Sequence, residues 1–321
     1  MDYTQLGKGN VYQDFPFSFF KEKGSLDIHQ IEWITPHVCK IFTHQGDYVT
    51  KRYPSMQVVR QQWEFFNSVS YAGIIPFVPF PSGRFTVYDG IRYIWTLSPW
   101  QDGTTLTFEN KKDRHDAQKA LILFHTHARG IQINSVQQRS PLYVKWQKRY
   151  HQFALNEHIF AMHNEIQLFR EICLFSTEAL QQFKSMDWDA IIKLSNDVWE
   201  WNHGDVASHN FLRTTDNHIK LIDFDLLTLG PQCYDRIQLA HRFISKGISV
   251  DEFILLDLFR DHLTEESFYK GVVFPSWILR EWNVLLQKNP SNERIFHWLE
   301  KVQNWWHLHQ TFVAQLTNVL T

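Results

Sequence analysis

The chain has 321 residues, enough for a large buried core and for two lobes. Hydrophobic residues are 44% and charged residues 21%, which excludes a disordered chain, and 32 Lys plus Arg against 34 Asp plus Glu argues against nucleic acid as the main partner. No apolar run approaches the ~18 residues of a membrane span, MDYTQLGKGN lacks the regions of a signal peptide, and the scattered Cys39, Cys173 and Cys233 read as reduced thiols of a cytoplasmic chain.

In chain order, "EWITPHVCKIFTHQGDYVTKRY" predicts three strands, near Ile31–Ile34, Val38–Thr43 and Tyr48–Tyr53. Thr35-Pro36-His37 and His44-Gln45-Gly46-Asp47 supply the turns. Val59, Trp63, Phe66 and Val69 then recur at helical spacing. "IIPFVPFPSG" carries three prolines and is no regular helix. "RFTVYDGIRYIWTLS" reads as a hairpin turning at Asp89-Gly90.

After a polar link the pattern changes. Ala117, Ala120, Leu121, Phe124 and Ala128 mark one face of a helix. Further helices are expected near 140–172, 176–184 and 187–197, then at Tyr234–Lys246 and Val250–Leu263. Ser291 is placed to cap a last long helix with Ile295, Leu299, Val302 and Trp306 inward. Sheet first and helices second gives an α+β class, with two lobes and a cleft between them. The division falls at 1–98 and 99–321, with a hinge at about 97–103. The 13 Trp and 26 Phe are either an aromatic-rich core or in part a surface for a partner. The pairs His125/His127 and His158/His163 lack the spacing of the zinc motif H-E-x-x-H.

One short stretch concentrates the chemistry: "WNHGDVASHNFLRTTDNHIKLIDFD", Trp201 to Asp225. "NFLR" and "HIKLIDF" read as strands about the turn "TTDN", so a hairpin would bring Asp205 and Asn210 at its entry towards Asp223 at its exit. A polar loop explains these residues, and so does a site for a hard cation such as Mg²⁺, which takes carboxylate and amide oxygens and further ligands from phosphates.

"HGDVASHN" followed by "IDFD", and then "GPQCYDRIQLA" with Gly230, Pro231 and Asp235, resembles the aminoglycoside phosphotransferase and choline kinase superfamily. The resemblance implies a protein-kinase-like fold, with a small antiparallel-sheet N-lobe for the nucleotide and a mostly helical C-lobe for catalysis and the acceptor. It implies ATP and Mg²⁺ as cofactors and a small-molecule hydroxyl as acceptor. Asp205 would be the catalytic aspartate, Asn210 and Asp223 the metal ligands, and His203 and Asp235 supports of the loop. Lys51, on the third strand, and Glu64, in the following helix, would form the ion pair that positions the lysine on the phosphates. Ser98 and Trp100 would grip adenine through the Ser98 carbonyl and the Trp100 N–H. Asp225 stands where protein kinases have the Gly of D-F-G.

The sequence departs from that family pattern at the turn Thr35-Pro36-His37, which has no glycine to let backbone N–H groups approach phosphate. "LGKGN", near the start, lies too early to replace it. "VCKIFTHQGDYVTKRY", "LFHTHARG" and "YVKWQKRY" are similar to the spore-coat CotS-type branch of the superfamily. That similarity implies a place in the spore coat with other coat proteins as partners, and with it the alternative of a structural protein with weak or no catalysis. The acceptor pocket is expected from helices after residue 245, with Trp277, Arg280, Glu281 and Trp282 lining it. A cationic acceptor would want acids and aromatics there, and Asp257, Asp261, Glu265 and Glu266 are equally explained as a solvated helix face.

Overall fold

The computed structural model describes residues 15–137 and 139–320. The segments MDYTQLGKGN and LGKGN therefore lie outside the described residues. Helix α1 (Phe15–Gly24) leads into β1 (Ile28–Thr35), β2 (Val38–Thr43) and β3 (Gly46–Tyr53). After α2 (Met56–Ser68) come β4 (Val87–Tyr88) and β5 (Ile94–Pro99), and the five strands form one antiparallel sheet in the order β1-β2-β3-β5-β4. In β2 the period of two buries Cys39, Ile41 and Thr43 on one face. Phe19 and Phe20 of α1 cover that face together with Trp95 of β5, at ring separations of 6.3 and 5.1 Å.

The proline-rich stretch does what a helix could not. Its backbone bridges β5 through Val78 and Leu97, and bonds Leu221 through Gly73 and Ile75. It thereby ties the first sheet to the segment carrying Asp223. Helix α2 does the same on the other side. Gln61, buried, donates its Nε2 to the Leu227 carbonyl at 2.6 Å, and Phe65 and Phe66 enter the large core of the second lobe.

The second lobe opens with β6 (Gly103–Thr105) and α3 (Lys111–Ala128). A Cβ on Gly103 would stand 2.3 Å from the Arg213 carbonyl oxygen, so the strand crosses there only as glycine. The helices α4 (Leu142–Ala154), α5 (Glu157–Met162), α6 (Ile166–Lys184) and α7 (Trp188–Asp197) follow. The expected helix over 140–172 is thus divided. Asn156 donates its side-chain amide to Gln152 and Phe153 carbonyls, ending α4, and Asn164 turns the chain with φ +61°. The helix expected at 176–184 is the second half of α6.

A two-stranded and a three-stranded sheet then frame the chemistry. β7 (Trp201–Asn202) pairs with β10 (Thr228–Leu229), and β8 (Phe211–Thr214) lies between β6 and β9 (Ile219–Leu221). The rest is helical: α8 (Cys233–Ile244), the one-turn α9 (Val250–Phe253) and α10 (Asp257–Arg260), α11 (Glu266–Val273), α12 (Ser276–Leu286) and α13 (Asn292–Leu320). The single helix expected at Val250–Leu263 is two short ones. Ser291 does accept from the Arg294 N–H, and Ile295, Leu299, Val302 and Trp306 of α13 are buried. The kinase-like fold, small antiparallel sheet first and helices after, agrees with the sequence reading. Most of the aromatic load is core: among the described Trp and Phe residues the exposed ones are Trp33, Phe17, Phe85 and Phe296.

Candidate active site

The loop between β7 and β8 is held from below by one carboxylate. Asp235, in the first turn of α8 and 1% exposed, accepts from the His203 N–H at 2.7 Å and the Gly204 N–H at 2.9 Å. It also accepts from His125 Nε2 at 3.1 Å. Gly204 has φ +83°, and a Cβ there would meet the Leu226 carbonyl oxygen at 2.2 Å, so no other residue fits. Gln238, one helical turn along α8, accepts from the Val206 N–H and donates to the Gly204 carbonyl.

His203 joins this loop to the next. Its Nδ1 accepts from the Asp205 N–H at 3.3 Å and its Nε2 donates to the Ile222 carbonyl at 2.9 Å. Burial lowers its pKa, outweighing the nearby carboxylates, so the ring is neutral and its tautomer follows from the two bonds. Asn210, 2% exposed, donates its side-chain amide to the Asp205 backbone carbonyl at 2.9 Å, while its backbone carbonyl accepts from the Ile222 N–H at 3.0 Å. Short bonds thus connect Asp205, Asn210 and the residue before Asp223. Phe224 fills the space behind them, 4.5 Å from the His203 ring and 5.3 Å from Phe66.

Asp223 has φ +64°, a conformation costly for a non-glycine residue and tolerated best by Asp and Asn. Lys51 Nζ lies 2.8 Å from its Oδ1 and 2.7 Å from Asp225 Oδ2. Burial disfavours the lysine's charge, but Asp225 and Asp223 overcome it and hold its pKa above the ordinary value. For Asp223, burial works against ionisation, yet Lys51 and the Asp225 N–H hold the carboxyl below the usual range. Burial and the Asp223 charge push Asp225 the other way. One ammonium faces two carboxylates, and Asp225 Oδ1 is buried without a hydrogen-bond partner.

Two expected contacts are corrected. Glu64 does not reach Lys51. Its carboxylate accepts from the Asn134 and Ser135 N–H groups at 2.9 and 2.8 Å and from the Ser135 hydroxyl at 2.6 Å. The phase of α2 turns Glu64 towards that loop, and the lysine's partners come from the segment after β9. Trp100 is corrected as well. Its N–H donates to the Asp47 carbonyl at 2.9 Å, because pairing between β3 and β5 runs on past Pro99, and is not open to adenine. Its indole donates to Asp102 and carries Lys40 over its face at 4.3 Å. Ser98 lies in the sheet opposite Val49. Arg52, next along β3, points away from Lys51, bonding His37 Nδ1 at 3.1 Å and stacking on Tyr93.

Asp205 opens on a cavity of about 550 Å³. Its walls come from α4, the segment after Asp225, α8, α12 and α13. Trp277, Arg280 and Glu281 line it as expected, whereas Trp282 is fully buried in the core. The acids Asp257, Asp261, Glu265 and Glu266 are absent from the wall and pair with Arg260, Arg236, His262 and Lys270. Composition did not point to the cations that are there. Lys145 and Arg149 stand four residues apart on one face of α4, Arg242 lies in the last turn of α8, and Lys246 lies in the turn that follows it.

A kinase-like scaffold with an aspartate-bearing loop and a lysine-carboxylate cluster is the architecture of a phosphotransferase fold. Residues 34–264 match the phosphotransferase enzyme family, APH, and the chain belongs to that family. Solved structures agree in fold. An aminoglycoside phosphotransferase from Alicyclobacillus acidocaldarius is 17% identical with a TM-score of 0.75, over 92% of this chain and 94% of that one. A spectinomycin phosphotransferase in complex with ADP and spectinomycin is 15% identical with a TM-score of 0.60, over 91% and 97%. The choline kinase LicA from Streptococcus pneumoniae is 12% identical with a TM-score of 0.52, over 92% and 99%. A search of curated proteins gives no match. Among the described residues no helix is long and apolar enough to cross a membrane.

Proposed function

We propose that the chain transfers the γ-phosphoryl group of ATP to a hydroxyl of a small molecule, with Mg²⁺. The carrying observation is the bonded sequence from Asp205 through Asn210 and His203 to the residue before Asp223, with Lys51 on the far side. In this reading residues 1–98 hold the nucleotide and 99–321 the catalytic loop and the acceptor.

The residues suit the metal. Asp223 and Asn210 offer hard oxygens, and the excess carboxylate charge beside Lys51, with the orphaned Asp225 oxygen, favours a divalent cation. Among the described residues no three His, Cys, Asp or Glu converge as a metal group, which fits an ion that takes one or two protein ligands and the remainder from phosphate and water. Bound there, Mg²⁺ would neutralise phosphate charge. Lys51 would contribute its ammonium to the nucleotide phosphates. Asp205 would orient the acceptor hydroxyl and take its proton as the new O–P bond forms and ADP leaves. Arg242, with Nη2 3.6 Å from Asp205 Oδ1, steadies that carboxylate on the cavity side. His203, Asp235 and Gln238 position the loop through their hydrogen bonds to it.

A second reading, a spore-coat protein of the CotS type with little turnover, draws on the glycine-free turn between β1 and β2. His37 in that turn is engaged by Arg52. The first reading goes with a cytoplasmic location and the second with the spore coat. The deciding experiment measures ADP release across a panel of hydroxyl acceptors. Turnover in the wild type that falls about 10²-fold or more in Asp205→Ala, with unchanged circular dichroism, supports the enzyme. Full activity in Asp205→Ala removes Asp205 as the base.

A further inference from the structure

The cavity beside Asp205 carries a charge that the chain as a whole does not. Six cationic side chains line it, Arg139, Lys145, Arg149, Arg242, Lys246 and Arg280, against the carboxylates of Asp205, Asp235 and Glu281. The net charge of the chain is -2. Two of these groups are engaged elsewhere. Asp235 holds the catalytic loop, and Lys246 pairs with Glu109 at 2.5 Å. Five cations remain for two carboxylates.

Their own partners do not neutralise them. Arg139 donates to the Asp225 backbone carbonyl and Arg149 to that of Ser276. Lys145 makes no ion pair among the described residues. Arg242 and Arg280 reach Asp205 and Glu281 only at 3.6 Å each. Burial first, and then like charge, lowers the pKa of Lys145 and Arg242 and brings Arg149 down to about 10. For Lys145 the like charges are Arg139 and Arg149, opposed by Asp205, and for Arg149 they are Arg280 and Arg242, opposed by Glu281, while Asp225 opposes burial at Arg139. The five cations thus interact as one group in which carboxylates offset only part of the charge. Such a group repels itself in the free protein and is relieved by an anion.

Resting on the phosphotransferase reading above, we infer that the acceptor is an anion: a hydroxyl compound that also carries a carboxylate, phosphate or sulfate. Arg149, Arg242 and Arg280 hold that group, while Asp205 faces the hydroxyl. Trp277, Trp298 and Trp305, packed edge to face at 5.6 Å, supply an apolar wall for its carbon frame. Indole faces also attract cations, but a positively charged acceptor would meet five like charges, and charge–charge contacts exceed exposed cation–π contacts.

The test is equilibrium binding to the full chain, followed by tryptophan fluorescence and calorimetry at low salt. The probes are glucose, glucosamine, gluconate, glucose 6-phosphate, inorganic phosphate and sulfate. Gluconate against glucose 6-phosphate separates the carboxylate from the phosphate source. At least one anion is expected to bind tenfold or more tighter than glucose, with glucosamine weakest, and to weaken as NaCl is raised. Arg280→Gln, at a half-exposed position that folding tolerates, is expected to weaken that anion about tenfold. Arg149→Gln should do the same. The anion should stay bound with saturating Mg²⁺-ATP. Glucose or glucosamine binding as tightly as every anion, an Arg280→Gln affinity within twofold of wild type, or no saturable anion binding would overturn the inference. Displacement of every anion by ATP would assign the cations to the nucleotide and overturn it too. Anion binding in a protein that binds no ATP would refute the catalytic reading and leave the pocket's ligand class standing.

Discussion

Asp235→Asn tests how the loop bearing Asp205 is held. The wild-type carboxylate accepts from three donors, the His203 and Gly204 N–H groups and His125 Nε2, at 1% exposure. Asparagine keeps one acceptor oxygen. Its NH₂ must then oppose one or more of the remaining donors. His125 can present a bare nitrogen by changing tautomer, since burial lowers its pKa even against the pull of Asp235 and keeps the ring neutral. The backbone donors have no such escape: with the oxygen in the place of Oδ2 the Gly204 N–H meets the NH₂, and in the place of Oδ1 the His203 N–H does. One buried donor left unpaired, with charge assistance lost at the others, amounts to about 2–4 kcal/mol. That is a large part of the ~5–15 kcal/mol that holds a typical protein folded. Urea unfolding followed by circular dichroism should report the loss as a lower midpoint at unchanged slope. Turnover should fall with it, because Asp205 is two residues from His203. A loss under about 0.5 kcal/mol with full activity would show that the three bonds do not hold the loop, and the reasoning would fail.

Further outcomes follow from the same geometry. Glu64→Gln should leave ATP affinity within twofold of wild type and lower stability by about 1 kcal/mol, since Glu64 serves the Asn134–Ser135 loop. A tenfold loss of ATP affinity would restore the pairing with Lys51. The pH dependence includes His241 and His309, whose pKa values burial lowers to about 3 and about 4, beside His125 and His203, which burial lowers in the same direction. Both folded values lie below the unfolded ~6.5, so their neutral forms stabilise fully above that pH. The contribution is lost as pH falls from about 6.5 towards 4 and 3, on the order of a few kcal/mol. His309→Phe should flatten the profile of unfolding midpoint against pH, and an unchanged slope would contradict the assignment.

Much of this was legible in the residues themselves. The turns at Thr35-Pro36-His37 and around Gly46 announce β1–β3 because Pro and Gly restrict the backbone locally. The H-G-D loop and I-D-F-D segment converge because a short hairpin leaves little choice. What stayed hidden depends on distance or on phase. The partner of Lys51 is decided by the rotation of α2 and by a left-handed Asp223, neither of which spacing encodes. The Trp100 N–H is occupied because β5 pairs one residue further than a proline suggests. The breaks at Asn156 and Asn164 interrupt an apolar pattern that reads as continuous. The cationic cavity is assembled from helices far apart in the chain, and only the i, i+4 pair Lys145 and Arg149 of α4 is a local signal for it.

The central claim is a Mg²⁺-bearing nucleotide held between Lys51 and the Asp205–Asn210–Asp223 constellation. Calorimetric titration of ATP into wild type, Lys51→Met and Asp223→Asn, with and without Mg²⁺, addresses it directly. Saturable binding that needs Mg²⁺ and falls at least tenfold in both variants is the predicted result. Binding indifferent to Mg²⁺ and to both substitutions, or none at millimolar ATP, would contradict it.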